Sequence, residues 1–332
     1  MPKSRASSSD SLWLFDPPKV ELPQISVSKA LGSIRWSYSR RSTLEQCARK
    51  YFYEYYGANK RYSKHDETRK SKLRFLKKLV SRHELAGQIV HRTMANYFRY
   101  SRQAAPNVKE MQKDADKQFA KALEDSRAFI NGNSTSSDYS TLTVLLEFYY
   151  RRKDAEDGCI EVRDRMLSSL FAFATSSSYR EARVEGSKPG ASIERRFKRL
   201  NGFQCSVEGV IDLSYIIDNV IVVIDWKTGL PSSGSDDSLQ LLTYAFWASE
   251  QFSYLPKSVV ILKGYLSSGE LIPFQATKDI LASARARILQ DAERMLSMDS
   301  YGRSDQESAF TPCGQQKICA LCPYLEMCQR QG

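Results

Sequence analysis

Apolar positions recur at helical spacing through the first half of the chain and in strand-like runs through the second. "SYSRRSTLEQCARKYFYEYYG" (37–57) predicts a capped helix, with Ser42 and Glu45 as a capping box and Gly57 as its stop. "ELAGQIVHRTMANYFRY" (84–100) has helical apolar spacing, and residues 107 to about 182 continue as helix, broken by a loop near "NGNSTSSD" (131–138). The period then changes. "SIERRFKRL", "FQCSVEGVIDLSYII" and "NVIVVIDWKTG" read as three strands joined by short turns, with Asn201-Gly202 as a hairpin signal. "DSLQLLTYAFWASEQF" is a helix, "KSVVILKGYL" and "ELIPFQA" are strands, and "TKDILASARARILQDAERML" is a closing helix. This order predicts an α/β core preceded by a large helical elaboration. Residues 1–35, rich in Ser and Pro, read as a flexible N-terminal arm, leaving 36–332 as one domain.

"VVIDWKTG" (222–229) carries the sharpest chemistry. An apolar β-branched strand ends in Asp225, Trp226 and Lys227. Residues i and i+2 share a strand face, so both charges point into one space. They form either a satisfied ion pair or half of an active site, because buried charges must be paired or bind a metal. The neighbouring "GVID" places Asp212 near the end of its own strand. If the two strands pair, Asp212 and Asp225 approach, and two close carboxylates repel unless a cation lies between them. Oxygen ligands of this kind suit Mg²⁺ or Mn²⁺. Lys227 would then stand beside the metal, where it can orient a water and offset phosphate charge. The bland alternative makes Asp212 a turn residue. His91, behind Gly87 on a helix, and the pair Gln240 and Tyr244, four apart on one helix face, each have an ordinary packing explanation when taken alone.

Composition narrows the partner. The chain has 332 residues and formal net charge +11, which favours a polyanion. Between Lys60 and Arg82 lie ten Lys or Arg residues against Asp66 and Glu67, a candidate phosphate track. The aromatic run "YFYEYY" just before it could stack bases, although at least half of these rings fit a core. No base-reading motif and no Walker A sequence occur, so ATP-driven unwinding would need a helicase partner. The N-terminal segment has no apolar run of signal-peptide length, and no run of eighteen apolar residues occurs, so no membrane partner and a cytoplasmic location are expected. In that compartment the seven cysteines point to metal rather than disulfides. Cys319, Cys322 and Cys328 form C-x₂-C-x₅-C, which needs a fourth thiolate from Cys47 or Cys313. A four-cysteine zinc site and an iron–sulfur cluster both satisfy this.

The ordered series "GQIVH", "GVID", "DWK" and "QLLTY" resembles the RecB-type branch of the PD-(D/E)XK nuclease superfamily, from about residue 40 to the end. The resemblance implies a restriction-endonuclease-like core: a mixed central sheet flanked by helices, with 58–190 as elaboration, 191–297 as nuclease core and 313–328 as a cysteine clasp. It implies that His91, Asp212 and Asp225 bind the catalytic divalent metal, with the Trp226 carbonyl as a further ligand. Lys227 would assist the attacking water, and Gln240 and Tyr244 would line the site. Asp225 stands where many relatives have Glu. Glu194 reads as a surface strand acid or, at most, a group standing behind the metal ligands. The distant Cys47 and the C-terminal triplet resemble the 4Fe–4S clasp of AddB-type and CRISPR-associated RecB-type nucleases, implying Cys47, Cys319, Cys322 and Cys328 as cluster ligands. Cys313 is then spare, and Cys159 and Cys205 are buried thiols. The resulting expectation is a metal-dependent exonuclease on single-stranded DNA or DNA ends, in repair, recombination or defence, with helicase or defence-system proteins as partners. The alternatives are a catalytically silent DNA-end-binding module and a zinc-stabilised RNA-binding protein.

Overall fold

The computed structural model describes residues 31–59, 61, 67–101, 104–132, 142–229, 238–251 and 258–329. The N-terminal arm up to residue 30, the loop at 133–138, and Lys60 and 62–66 of the basic run lie outside them. In chain order the elements are β1 (Arg35–Trp36), α1 (Tyr38–Gln46), α2 (Ala48–Phe52), α3 (Glu67–Leu76), α4 (Arg82–Tyr100), α5 (Val108–Ile130), α6 (Leu146–Tyr149), α7 (Ala155–Thr175) and α8 (Arg180–Gly186). They continue with β2 (Ser192–Phe197), β3 (Ser206–Val207), β4 (Gly209–Ile217), β5 (Val220–Lys227), α9 (Ser238–Gln251), β6 (Ser258–Tyr265), β7 (Glu270–Phe274), α10 (Lys278–Arg303), α11 (Gln316–Ala320) and α12 (Leu325–Gln329).

Five strands form one mixed sheet in the order β2-β4-β5-β6-β7. β5 and β6 are parallel, linked through α9, and the other pairings are antiparallel. β5 is buried from Val220 to Trp226, as a strand covered on both faces must be. Its side chains alternate between two cores. Ile221 and Val223 join α9, α10 and the aromatic cluster of Trp36, Tyr51 and Phe52. Val222, Ile224 and Trp226 join α4, α5 and α7 through Ile89, Phe119 and Phe173. Asp225 and Lys227 continue the first of these alternations, and so face α9.

Two glycines are fixed by close approach. A Cβ on Gly209 would meet the Phe197 ring at 2.4 Å, directly across the β2–β4 register. A Cβ on Gly264 would meet the Trp226 ring at 2.3 Å across β5–β6.

Three local readings are corrected. The helix over 37–57 begins at Ser37, whose hydroxyl accepts from the Arg40 N–H at 3.2 Å, and not at a Ser42–Glu45 capping box. It breaks at Cys47, whose backbone is extended (φ −164°) and whose Sγ accepts from the Lys50 N–H and caps α2. Asn201-Gly202 makes a turn, but β2 and β4 are joined by the longer segment 198–208, because β3 leaves it to pair parallel with β1. The two-residue hairpin lies instead at Asp218-Asn219, both left-handed (φ 48° and 62°), between β4 and β5.

Candidate active site

α4 brings the first functional side chain. Ser81 caps it, and Leu85, Ile89, Val90, Met94 and Phe98 bury one stripe. This leaves Gln88, His91 and Arg92 on the face toward the sheet edge. His91 Nε2 lies 3.1 Å from the Trp226 carbonyl oxygen. A carbonyl only accepts, so Nε2 carries the proton. Nδ1 then faces the carboxylates of Asp212 at 3.5 Å and Glu194 at 3.6 Å. Burial alone would lower the His91 pKa, but these two carboxylates outweigh it and raise it to about 10.

β4 and β5 bring the carboxylates together as their pairing required. Leu213 opposes Ile224, so Asp212 and Asp225 are the next positions along the two strands. Asp212 Oδ2 accepts from the Trp226 N–H at 2.8 Å. Asp225, 2% exposed, forms an ion pair with Lys227 Nζ at 2.7 Å. Burial chiefly, and then repulsion from Asp212, raises the Asp225 pKa to about 6 in spite of Lys227 and His91.

α9 completes the arrangement. Lys227 Nζ donates to Gln240 Oε1 at 3.2 Å, Gln240 Nε2 donates to the Tyr244 hydroxyl at 2.7 Å, and that hydroxyl donates to Asp225 Oδ1 at 3.4 Å. The four side chains close a ring that fixes the Lys227 ammonium at the cleft wall. Burial and the two aspartates hold the Tyr244 phenol well above its usual range, so it stays a neutral donor.

The six catalytic candidates His91, Asp212, Asp225, Lys227, Gln240 and Tyr244 therefore converge, with the Trp226 carbonyl among them. Glu194 joins them more closely than its reading as a surface strand acid implied. Among the described residues, His91, Glu194 and Asp212 bring three ligand atoms within 4.8 Å of one another. An imidazole with hard carboxylate oxygens suits a divalent cation of the Mg²⁺ or Mn²⁺ kind. Glu194 reaches the site because β2 pairs with β4, with Ile193 opposite Leu213 and Arg195 opposite Ile211. It adopts a left-handed backbone (φ 49°), a strained state for a non-glycine residue in a strand. No local sequence signal marks either feature.

The cysteines form a second centre where the segment around Cys47 meets the segment 313–328. Cys47 and Cys322 are buried, and Cys319 and Cys328 half-buried. Burial raises the Cys328 thiol pKa, and the neighbouring Cys47 and Cys319 add to it. Cys322 is pushed up to about 12, again chiefly by burial, with Cys328 and Cys47 contributing. The four thiols are thus neighbours. Cys313, expected to be spare, also stands here, its Sγ 3.9 Å from that of Cys319. Cys159 and Cys205 are buried thiols elsewhere. Protein contacts join the same two regions. Glu307 receives Arg49 at 2.8 Å, Tyr53 at 2.5 Å and Arg69 at 2.5 Å, and the Tyr324 hydroxyl donates to Glu54 at 2.6 Å.

Five cations of the basic run are paired with carboxylates. Arg69 pairs with Glu307, Lys70 and Arg74 with Glu67, Lys72 with Glu326, and Lys77 with Glu54. Tyr51, Phe52, Tyr53 and Tyr56 of the aromatic run are buried in the core; Tyr55 reaches a cavity.

A profile of the PD-(D/E)XK nuclease superfamily matches residues 35–329. The chain belongs to this superfamily, and its mixed sheet with flanking helices is the PD-(D/E)XK fold, the architecture of metal-dependent nucleases. No curated protein sequence matches the chain. No described helix is long and apolar enough to cross a membrane.

Proposed function

We propose that the chain is a divalent-metal-dependent deoxyribonuclease acting on single-stranded DNA or DNA ends, stabilised by a 4Fe–4S cluster. The observation that carries the catalytic reading is the closed ring of Asp225, Lys227, Gln240 and Tyr244 beside the His91–Asp212–Glu194 cluster. His91, Asp212, Asp225 and the Trp226 carbonyl would hold Mg²⁺ or Mn²⁺, with Glu194 against them. Bound there, the ion supplies Lewis acidity to the phosphate and lowers the pKa of a coordinated water. Lys227, fixed by Asp225 and Gln240, orients the attacking water and offsets charge building on the phosphate oxygens. Tyr244 keeps Gln240 turned toward the ammonium. Glu194 and Asp212 flank the Nδ1 side of the His91 ring and set its orientation.

Cys47, Cys319, Cys322 and Cys328 would hold the cluster, a reading supported by their mutual proximity. Its role in this reading is structural, since it closes a loop spanning nearly the whole chain. Repair, recombination or defence, with a helicase or defence-system partner, is the setting that the RecB-type resemblance favours.

The test is cleavage of end-labelled single- and double-stranded DNA with Mn²⁺ or Mg²⁺, using anaerobically purified protein and Lys227→Ala. Metal-dependent cutting that disappears in the variant supports the reading. Binding without cutting by both proteins replaces it with the DNA-end-binding module.

A further inference from the structure

The metal centre does not lie at the bottom of a pocket. It stands where two cavities adjoin, and a third continues beyond them. The first, about 640 Å³, runs along α4 past Gln88, Arg92 and Arg99 to His91, Glu194 and Arg196. The second, about 420 Å³, shares Glu194 and Arg196 with the first and contains Asp212, Gln240 and Tyr244. It shares Arg35, Ser37, Ser39 and Glu208 with the third, about 510 Å³, which holds Arg40, Tyr55 and Lys77. The shared side chains set the three cavities side by side, with Asp212 in the middle one.

Cations line both arms beside carboxylates: Glu84 in the first cavity, and Asp299 and Glu54, the latter paired with Lys77, in the third. On the α4 side, Arg92 and Arg99 are exposed, and Arg196 of β2 and Lys198 just past its end line the second cavity with Glu194. Among the described residues, Arg92, Arg196 and Lys198 have no carboxylate partner. On the far side, Arg40 is held over the Tyr55 ring at 4.0 Å, and its buried Nε has no hydrogen-bond partner among the described residues. The Arg35–Glu208 pair separates the last two cavities at 2.7 Å, with Arg35 61% exposed. The pair is bidentate, Arg35 donating to both Glu208 oxygens at 2.7 and 2.8 Å, so a strand crossing here passes over it or displaces it. Unpaired arginines along a continuous groove match the repeating charge of a nucleic-acid strand.

We infer that a single strand lies across the metal centre, gripped on both sides of the scissile phosphate, so that the protein cuts within strands and releases oligonucleotides, in place of the exonuclease action expected from the sequence. This rests on the nuclease reading for the cut, and on the cleft alone for the grip.

Two experiments test it. The first incubates circular single-stranded DNA with wild type and Mn²⁺. Linearisation followed by oligonucleotide products is expected; intact circles beside linear strands digested to mononucleotides would overturn the inference. The second measures binding of a long oligothymidylate to Lys227→Ala by fluorescence anisotropy across salt concentrations. Arg92→Gln with Arg99→Gln, and separately Arg40→Gln, are each expected to weaken binding severalfold. The salt slope should fall by about 0.7 for each phosphate that the variant no longer neutralises. The two effects should multiply when combined, because the arms are separate. If either arm can be neutralised without changing affinity or slope, the two-sided grip is wrong. Glutamine keeps most of each side chain's packing, and matched thermal melts exclude misfolding. Weaker binding from changes in both arms, in a protein that never cuts, would remove the nuclease reading and leave the grip standing.

Discussion

The carboxylate of Asp212 accepts a hydrogen bond from the backbone N–H of Trp226 at 2.8 Å, so an acid on one strand locks the end of the next. The consequence is that β5 delivers Asp225, the Trp226 carbonyl and Lys227 in fixed positions relative to Asp212. Asp212→Asn keeps an acceptor for that N–H but removes the charge. Cleavage is therefore expected to fall by about 10²-fold or more while the melting temperature changes little. Steady-state cleavage rates and calorimetry on the same preparation check both halves.

Metal binding should be visible as stability. A cation that binds only the folded chain adds about 2.7 kcal/mol at a hundredfold excess over its Kd. Wild type should thus melt at higher temperature in Mn²⁺ than in EDTA, and His91→Ala and Asp212→Asn should not. An equal shift in all three proteins would place the ion elsewhere.

Glu194 combines a strained backbone with a place beside His91. Glu194→Gln should weaken Mn²⁺ binding by about 10- to 100-fold. Glu194→Gly should lose metal affinity too, yet melt above Glu194→Ala, because a left-handed residue costs on the order of 1–2 kcal/mol when it carries a Cβ. Titration calorimetry and urea denaturation separate the two effects.

Iron and sulfide analysis of anaerobic protein distinguishes the cysteine assignments. Cys47→Ser and Cys322→Ser should lose the cluster and its visible absorption, whereas Cys313→Ser should keep both. Retention in Cys47→Ser with loss in Cys313→Ser would transfer the fourth position to Cys313, which stands 3.9 Å from Cys319. Zinc without sulfide would dismiss the cluster.

Glu307→Gln should destabilise the chain by about 3–5 kcal/mol, since it strips Arg49 and Arg69 of a shared buried partner. Gly209→Ala forces the Phe197 ring to move and should cost about 1–3 kcal/mol. Urea midpoints of the two variants provide the comparison.

The α/β organisation, the burial of β5 and the shared face of Asp225 and Lys227 were legible in the sequence. They depend on local periodicity: two residues per strand repeat, and four between Gln240 and Tyr244 on a helix. The ordered series from His91 to Tyr244 likewise survived as a spatial group, because each member sits at the sheet-facing end or face of a regular element. What sequence could not determine was whatever depends on pairing between distant segments. Glu194 became part of the site through the β2–β4 register, and a single strand's pattern does not state its neighbour. The basic run was equally opaque. Its charges are counted in the sequence, but Glu307, Glu326 and Glu54, which pair with Arg69, Lys72 and Lys77, arrive from elsewhere in the fold. The cleft follows the same rule: Arg40, Arg92 and Arg196 are unremarkable in one dimension, and only the fold places them on adjoining cavities. Local spacing fixes which face a side chain shares, whereas burial, charge pairing and continuity of a surface are properties of the closed chain.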